Sequence, residues 1–459
     1  MEVKHIPVLG YITGRMSDAD MDYGPLMAFL AVVLFISGLF IFGVTTGGVI
    51  SFLLLLSPIW FPMILFMIFY KKWMETVGLS FYLDNGRTTL RIIPPQEVLK
   101  SPEAMEFVIS QIHNTANPDN LMQTYLDGKR PLPYSFEIVS IGGEIRIYVN
   151  VPTKKTRDAF EAILYAQYPG IEIVEEEVDY AAEVPLDDKN WTVFSAHMGK
   201  KKDGILPLKG YIEYGLDKMP KEEEKVDPMT PMLDVFASAK PHERIYMQII
   251  ATSVRPESFK NGQVTRMFSG EGPKWNEESS KKVDELMHRD PKTKAPLNVG
   301  EEDFDGSPRI TPGERSLIET IERHSGKYAY SVGIRWVYLN SEGGFNSNLI
   351  NPIIRSFSQW DGANQLGVRW RTDFNYKDLI PGGKKKQIAA LKRQELKEYK
   401  MRKYFPKSQS DEPKIFTAEE LASIFHVPGR VATTPTLTRI QSARSEAPSN
   451  LPTSNPNNG

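Results

Sequence analysis

The chain has 459 residues, 55 Lys and Arg against 57 Asp and Glu, a formal charge of −2 and no cysteine. That length suits two ordinary domains plus tails, and the absence of cysteine excludes a disulfide framework and thiolate chemistry. A near-zero total charge says nothing about partners, so any electrostatic reading must come from local patches such as Glu172 to Asp179 or Lys384 to Lys407.

Residues 1–22 form a polar head without a clear period. From Tyr23 to Tyr70 no side chain is charged. One bilayer crossing needs about 20 apolar residues, so this stretch predicts a transmembrane helical hairpin over 23–73, with Pro25 to Val44 and Val49 to Tyr70 as spans and Thr45-Thr46-Gly47-Gly48 as the turn. A pair of helices buried in a soluble core is the plainer alternative, but such helices keep a polar stripe that Leu53 to Leu56 and Phe61 to Tyr70 lack. Lys71, Lys72 and Trp73 flank the second span as basic and aromatic interface residues. The expectation is a protein integral to the cytoplasmic membrane, contacting the lipid bilayer, with both termini cytoplasmic.

After the hairpin the pattern turns to α+β. Thr88 to Ile93 reads as a strand ended by Pro94-Pro95, and Ser101-Pro102 opens a helix with Phe107, Val108 and Ile112 on one face. Tyr134 to Ile141 and Glu144 to Val151 flank Gly142-Gly143, the signature of a two-residue hairpin. A helix over Lys154 to Tyr168 and a strand over Ile171 to Val178 complete a split βαβ unit of ferredoxin-like order over 80–180. Glu175-Glu176-Glu177 is read as a solvated edge in preference to a metal site.

A polar connection, 181–207, holds a candidate strand at Trp191 to His197. The order then recurs over 208–375. Strands are expected at Leu208 to Tyr214, Arg244 to Val254, Tyr328 to Leu339 and Leu366 to Thr372, with helices at Met229 to Ala239 and Phe345 to Trp360. An insertion over 255–327 carries helices near Ser279 to His288 and Thr311 to His324. The second of these starts with a Thr311/Glu314 capping box.

The segment 381–407 predicts a basic helix whose acidic residues are Glu395 and Glu398 alone. Lys384, Lys385, Lys386, Lys392 and Arg393 are candidates for nucleic-acid or lipid contact, against a plain solvated helix. A second capping box, Thr417 to Glu420, opens a short helix in the segment 414–429, where Leu421, Ile424 and Phe425 are candidate apolar anchors for a partner groove. The tail, 430–459, is rich in Ser, Pro and Asn and reads as disordered linker.

Tools of catalysis are missing from the sequence. No G-x-x-x-x-G-K-[ST] loop, H-E-x-x-H or G-x-S-x-G elbow occurs, and the histidines are scattered, with His113, His324 and His426 at helix ends. We therefore expect no enzyme activity, no catalytic residue, no metal site and no cofactor.

Two stretches carry a family resemblance. Ser135-Phe136-Glu137-Ile138-Val139-Ser140-Ile141-Gly142-Gly143 with Ala166-Gln167-Tyr168-Pro169-Gly170-Ile171-Glu172-Ile173 resembles the region ahead of the ATPase domain in membrane-tethered type IV secretion or conjugation ATPases of bacteria. Phe416 to Gly429, with Thr434-Pro435-Thr436-Leu437 and Ala447 to Pro452, is similar to the stretch joining that region to the motor. In that family the motor with its phosphate-binding loop comes next, whereas this sequence stops at Gly459, so no ATP-binding residue can be carried over. The resemblance implies a non-catalytic subunit that anchors and docks a separate translocation ATPase and is oligomeric when assembled. The alternative is a membrane-tethered nucleic-acid binder acting through 384–407, with DNA as partner.

Overall fold

A computed structural model describes residues 46–440, except 97, 99, 117, 119, 187–190, 219–225, 255–274, 291–309, 373–382, 405–412 and 430–435. Its elements in order are α1 (Thr46–Asp84), β1 (Arg87–Ile93), α2 (Pro102–Gln111), α3 (Leu121–Tyr125), β2 (Tyr134–Ile141), β3 (Glu144–Pro152), α4 (Thr153–Gln167) and β4 (Glu172–Glu175). There follow β5 (Thr192–Lys200), α5 (Thr230–Ala237), β6 (Glu243–Val254), α6 (Trp275–Leu286), α7 (Pro312–Ser325), β7 (Ala329–Asn340), α8 (Ser347–Ser356), β8 (Leu366–Trp370), α9 (Gly383–Lys400), β9 (Lys414–Thr417) and α10 (Ala418–Ile424).

Eight strands lie in the order β4-β1-β3-β2-β6-β7-β5-β8, with β9 added to β7, and every pairing is antiparallel. The first half, β1-α2-β2-β3-α4-β4, has the ferredoxin-like order expected. Its hairpin turn places both Gly142 and Gly143 at positive φ, 59° and 90°, as a primed two-residue turn requires. The second half, β5-α5-β6-β7-α8-β8, repeats that order in mirror sequence across the sheet. The two halves join edge to edge through β2 and β6, from Tyr134 opposite Ala251 to Ile141 opposite Arg244.

The second unit starts on a different strand from the one expected. Its first strand is β5, in the connection, and Leu208 to Tyr214 is turn and loop. The reason is where its backbone donors go: Leu208 N–H donates to Glu420 Oε1 (2.8 Å), Tyr211 N–H to Ser423 Oγ (2.9 Å) and Gly210 N–H to Glu213 Oε2 (2.7 Å). Donors bound to side chains leave nothing for a ladder.

The membrane hairpin is overturned. Among the described residues no helix is long and apolar enough to cross a membrane, so neither the two-span anchor nor the integral membrane location stands. The first span, Pro25 to Val44, lies outside the described residues, as do the head 1–22 and the tail from 441. Where the second span was to end, α1 continues unbroken for 39 residues in all, through Lys72, Glu75 and Asp84. Its last turns belong to the folded unit: Met74 and Val77 are buried, and Arg130 Nη2 donates to Met74 O (3.0 Å). The flanking residues thus have intramolecular roles. Lys72 pairs with Glu75 at 2.9 Å, Trp73 Nε1 donates to Tyr125 O at 2.7 Å, and Lys71 is a residue of the helix. Leu55, Phe61, Met63 to Phe66, Ile68 and Phe69 of α1 are exposed.

Both faces of the sheet are covered. One carries α2, α4, α5, α8 and α10 over a core that runs through both halves, from Ile92, Phe136 and Ile147 to Ile334, Trp336 and Trp360. The other carries α9 and the 3-10 turn Tyr180–Glu183, over Val139, Tyr148, Tyr246, Val337 and Leu339. Double burial is why β2, β6 and β7 read as near-continuous apolar runs.

Candidate polyanion-binding face

Four strands contribute one polar residue each to the middle of the face beneath α9. Glu137 of β2 stands opposite Gln248 of β6, Gln248 opposite Arg335 of β7, and Arg335 opposite His197 of β5. All four are fully buried. Gln248 Nε2 donates to Glu137 Oε1 (2.7 Å) and Arg335 Nε donates to Gln248 Oε1 (2.8 Å), so the row is bonded across the seam between the halves.

Such a row is stable only if every charge in it is answered. Helix α9 and the residues after it provide the partners. Glu395 accepts from Arg371 Nε (3.0 Å) and lies 3.0 Å from His197 Nε2, while Glu398 stands 3.9 Å from Arg335 Nη1. Arg402 grips Glu137 with Nε (3.0 Å) and Nη2 (3.2 Å) and reaches Asp179 with Nη1. Tyr180 donates to Glu137 Oε2 (2.7 Å) and shares a 2.5 Å bond with the Tyr399 hydroxyl. Burial by itself would raise the Glu395 carboxyl; the His197 hydrogen bond and the charges of His197, Arg371 and Arg335 overcome that and hold it far below the usual carboxylate range.

The consequence appears on the outer side of α9. Its only acidic residues, Glu395 and Glu398, are turned inward and neutralised, and Leu396 and Tyr399 anchor the same side. Lys385, Lys386, Arg393 and Lys397 are exposed, and Lys392 is half-buried, with its ammonium held below the usual value by burial. Lys384 is the second residue of the helix, and its side chain lies outside the described residues. Four of the five basic candidates therefore reach the surface in some degree, on a face without a carboxylate of its own.

The apolar candidates are placed elsewhere. Leu421, Ile424 and Phe425 are at most 2% exposed and belong to the main core, the Phe425 ring 5.0 Å from that of Phe136. They cannot anchor a partner's groove, because the chain's own sheet already fills that role. The capping box at Thr417 is present as expected, and the helix it opens is the clasp between the halves: β9 pairs with β7, while α10 lies against α2. Around it Lys200 pairs with Glu420 (2.7 Å) and His426 with Asp227 (3.1 Å).

Sequence reasoning missed the polar row altogether. One signal could have exposed it: a single charged residue amid a mostly apolar strand, as in Ser135-Phe136-Glu137-Ile138-Val139 or Gly333-Ile334-Arg335-Trp336-Val337. No group of His, Asp or Glu with metal-binding geometry occurs among the described residues. No curated protein and no solved structure matches the chain. Residues 78–439 match DUF8128, described as a domain of unknown function. With most of its length inside that match, the chain belongs to the DUF8128 family.

Proposed function

We propose that this chain is a non-catalytic component of a type IV secretion- or conjugation-like translocation system, a rigid platform to which a separate ATPase docks. The reading rests on the resemblance of 135–143, 166–173 and 416–429, and one observation carries it. These segments, far apart in sequence, pack into one core: Phe136 meets Phe425, and Tyr168 and Ile171 share the cluster with Leu421 and Ile424. The stretch that joins platform to motor in the resembling proteins is here built into the platform. Beyond it, Leu437 bridges to Ile145 and Ile440 to Pro95, fixing the path of the chain along the first half. The test is affinity capture of an ATPase encoded beside this gene by the purified full chain, with Ile440→Asp to disturb the Ile440–Pro95 bridge. Capture by the wild type that weakens in the variant supports docking; no capture by a folded wild type sinks it.

A second reading, nucleic-acid binding by α9, is favoured by the inward turn of Glu395 and Glu398. It predicts DNA affinity that falls steeply with salt, each phosphate-contacting Lys adding about one unit to the log–log slope. Lys385→Gln/Lys386→Gln should lower that slope. Binding that ignores salt, or a slope unchanged by the pair, rules it out.

A further inference from the structure

Helix α1 changes character along its length. From Met74 onward it belongs to the folded unit, with Met74 and Val77 buried. From Thr46 to Tyr70 it carries no charged residue, and at 1.5 Å per residue that stretch extends about 37 Å. Its surface is apolar on every side. Met63, Ile64, Leu65 and Phe66 are consecutive and 46–57% exposed. Successive residues turn about 100° around a helix, so these four together go round the whole circumference. Leu55, Ile68 and Phe69 continue the surface along the helix, at 57–74% exposed.

A helix without a polar face is stable where its surface is buried, and contiguous apolar surface beyond a few hundred Å² marks an interaction site. With roughly 150–200 Å² for a large apolar residue in full, these seven leave on the order of 700 Å² open, close to the about 800 Å² that each partner gives to a standard interface. Two further features favour copies of the same chain as the cover. Pro58 and Pro62 each remove a backbone donor inside the helix. Any bend they introduce falls at the same level in every copy, so identical helices side by side stay in contact where a straight foreign helix would diverge. The far end of the stretch is fixed: Trp73 Nε1 donates to Tyr125 O (2.7 Å) and Arg130 Nη2 to Met74 O (3.0 Å). Every copy thus presents its apolar stretch in one orientation to its own sandwich, and parallel alignment gathers the sandwiches at one end.

We infer that α1, from Leu55 to Phe69, is a self-association element that packs against α1 of other copies of this chain, parallel and in register, in an assembly of three or more. A pair of helices would hide one side of each, whereas in a ring or bundle each meets two neighbours and more of the circumference is covered. Self-association through α1 is independent of ATPase docking, which rests on segments of the sandwich.

The test is the mass of the full chain by light scattering at micromolar concentration, where one discrete species of three or more chains is expected. Ile64→Glu/Ile68→Glu places two carboxylates on one side of the exposed stretch and should lower the mass to that of one chain. Its urea midpoint should stay at the wild-type value, because both side chains lie outside the core. The chain has no cysteine of its own, so Met63→Cys, Ile64→Cys, Leu65→Cys and Phe66→Cys each introduce a single thiol. A disulfide needs the two Cα atoms within about 7 Å, so in-register packing predicts covalent dimers on mild oxidation for at least one of the four and none for Asn351→Cys, exposed on α8. A wild type that is monomeric, dimeric or spread over many masses overturns the inference, as does a folded Ile64→Glu/Ile68→Glu of unchanged mass or a lack of cross-links at all four positions. A monomer that floats with phosphatidylcholine vesicles would assign the surface to lipid, and one that does not would leave the cover to the chain itself; both outcomes count against self-association.

Discussion

Glu419→Gln probes the clasp that holds the two halves together. The Glu419 carboxylate is fully buried and accepts from Arg323 Nε (3.1 Å) and Nη2 (2.9 Å). Lys327 Nζ lies 2.7 Å away and His324 Nε2 3.3 Å away. Burial would raise the carboxyl, but the His324 contact and charge, and then the Lys327 ammonium, pull it from 4.5 down to about 2. A displacement of that size is worth about 3 kcal/mol. Removing one member of a buried ion pair costs about 3–5 kcal/mol, so the two routes agree at the low end, as the partly exposed Arg323 and Lys327 would suggest. Because the folded value is depressed, this stability is present above pH 4.5 and is lost as pH falls toward 2. Urea unfolding should place Glu419→Gln about 3 kcal/mol below wild type at pH 7, with the gap narrowing at pH 3. A variant within about 0.5 kcal/mol of wild type at pH 7, or a gap that does not change with pH, would refute the reasoning.

Leu421→Asp puts an unpaired carboxylate into the main core, so we expect loss of cooperative unfolding and near-ultraviolet dichroism; a folded Leu421→Asp would mean that this side chain faces solvent or a partner after all. Gly143→Ala should cost about 2 kcal/mol or more, since φ is 90° and a Cβ would meet Ala237 O at 2.8 Å and Ala239 O at 3.0 Å; denaturant midpoints check it. For the buried His426–Asp227 pair, burial lowers the imidazole but the Asp227 charge and hydrogen bond raise it above 6.5 overall. Its contribution is therefore full below pH 6.5 and declines as pH rises through the raised value. The stability gap between wild type and Asp227→Asn should narrow from pH 6 to pH 9, and a gap that widens would contradict the pairing.

Much of the fold was legible because its signals are local. The Gly142-Gly143 turn, both capping boxes and the near-continuous apolar runs of β2, β6 and β7 depend on neighbours a few residues away, and the first ferredoxin-like unit follows from them. Leu208 to Tyr214 misled because alternation records which side chains point inward, not whether the backbone has a ladder to join. Its donors were taken by Glu420 and Ser423, more than two hundred residues later. The apolar run before Tyr70 misled in another way: hydropathy ends a span at Lys71, whereas a helix continues as long as its backbone bonds do, and α1 carries on into the folded unit.

The candidate sites divide along the same line. The basic character of α9 is written in its residues, but composition cannot say which of its side chains face outward. Only the row Glu137, Gln248, Arg335 and His197, assembled from four strands, draws Glu395 and Glu398 inside and leaves the lysines on the surface. Likewise Leu421, Ile424 and Phe425 announced an apolar face without naming what it meets, and it meets the chain's own sheet. Sequence thus determined the local elements and their polarity, because those depend on bonds between near neighbours. Tertiary structure decided which polar and apolar faces remained free, because burial is a property of what the rest of the chain brings alongside.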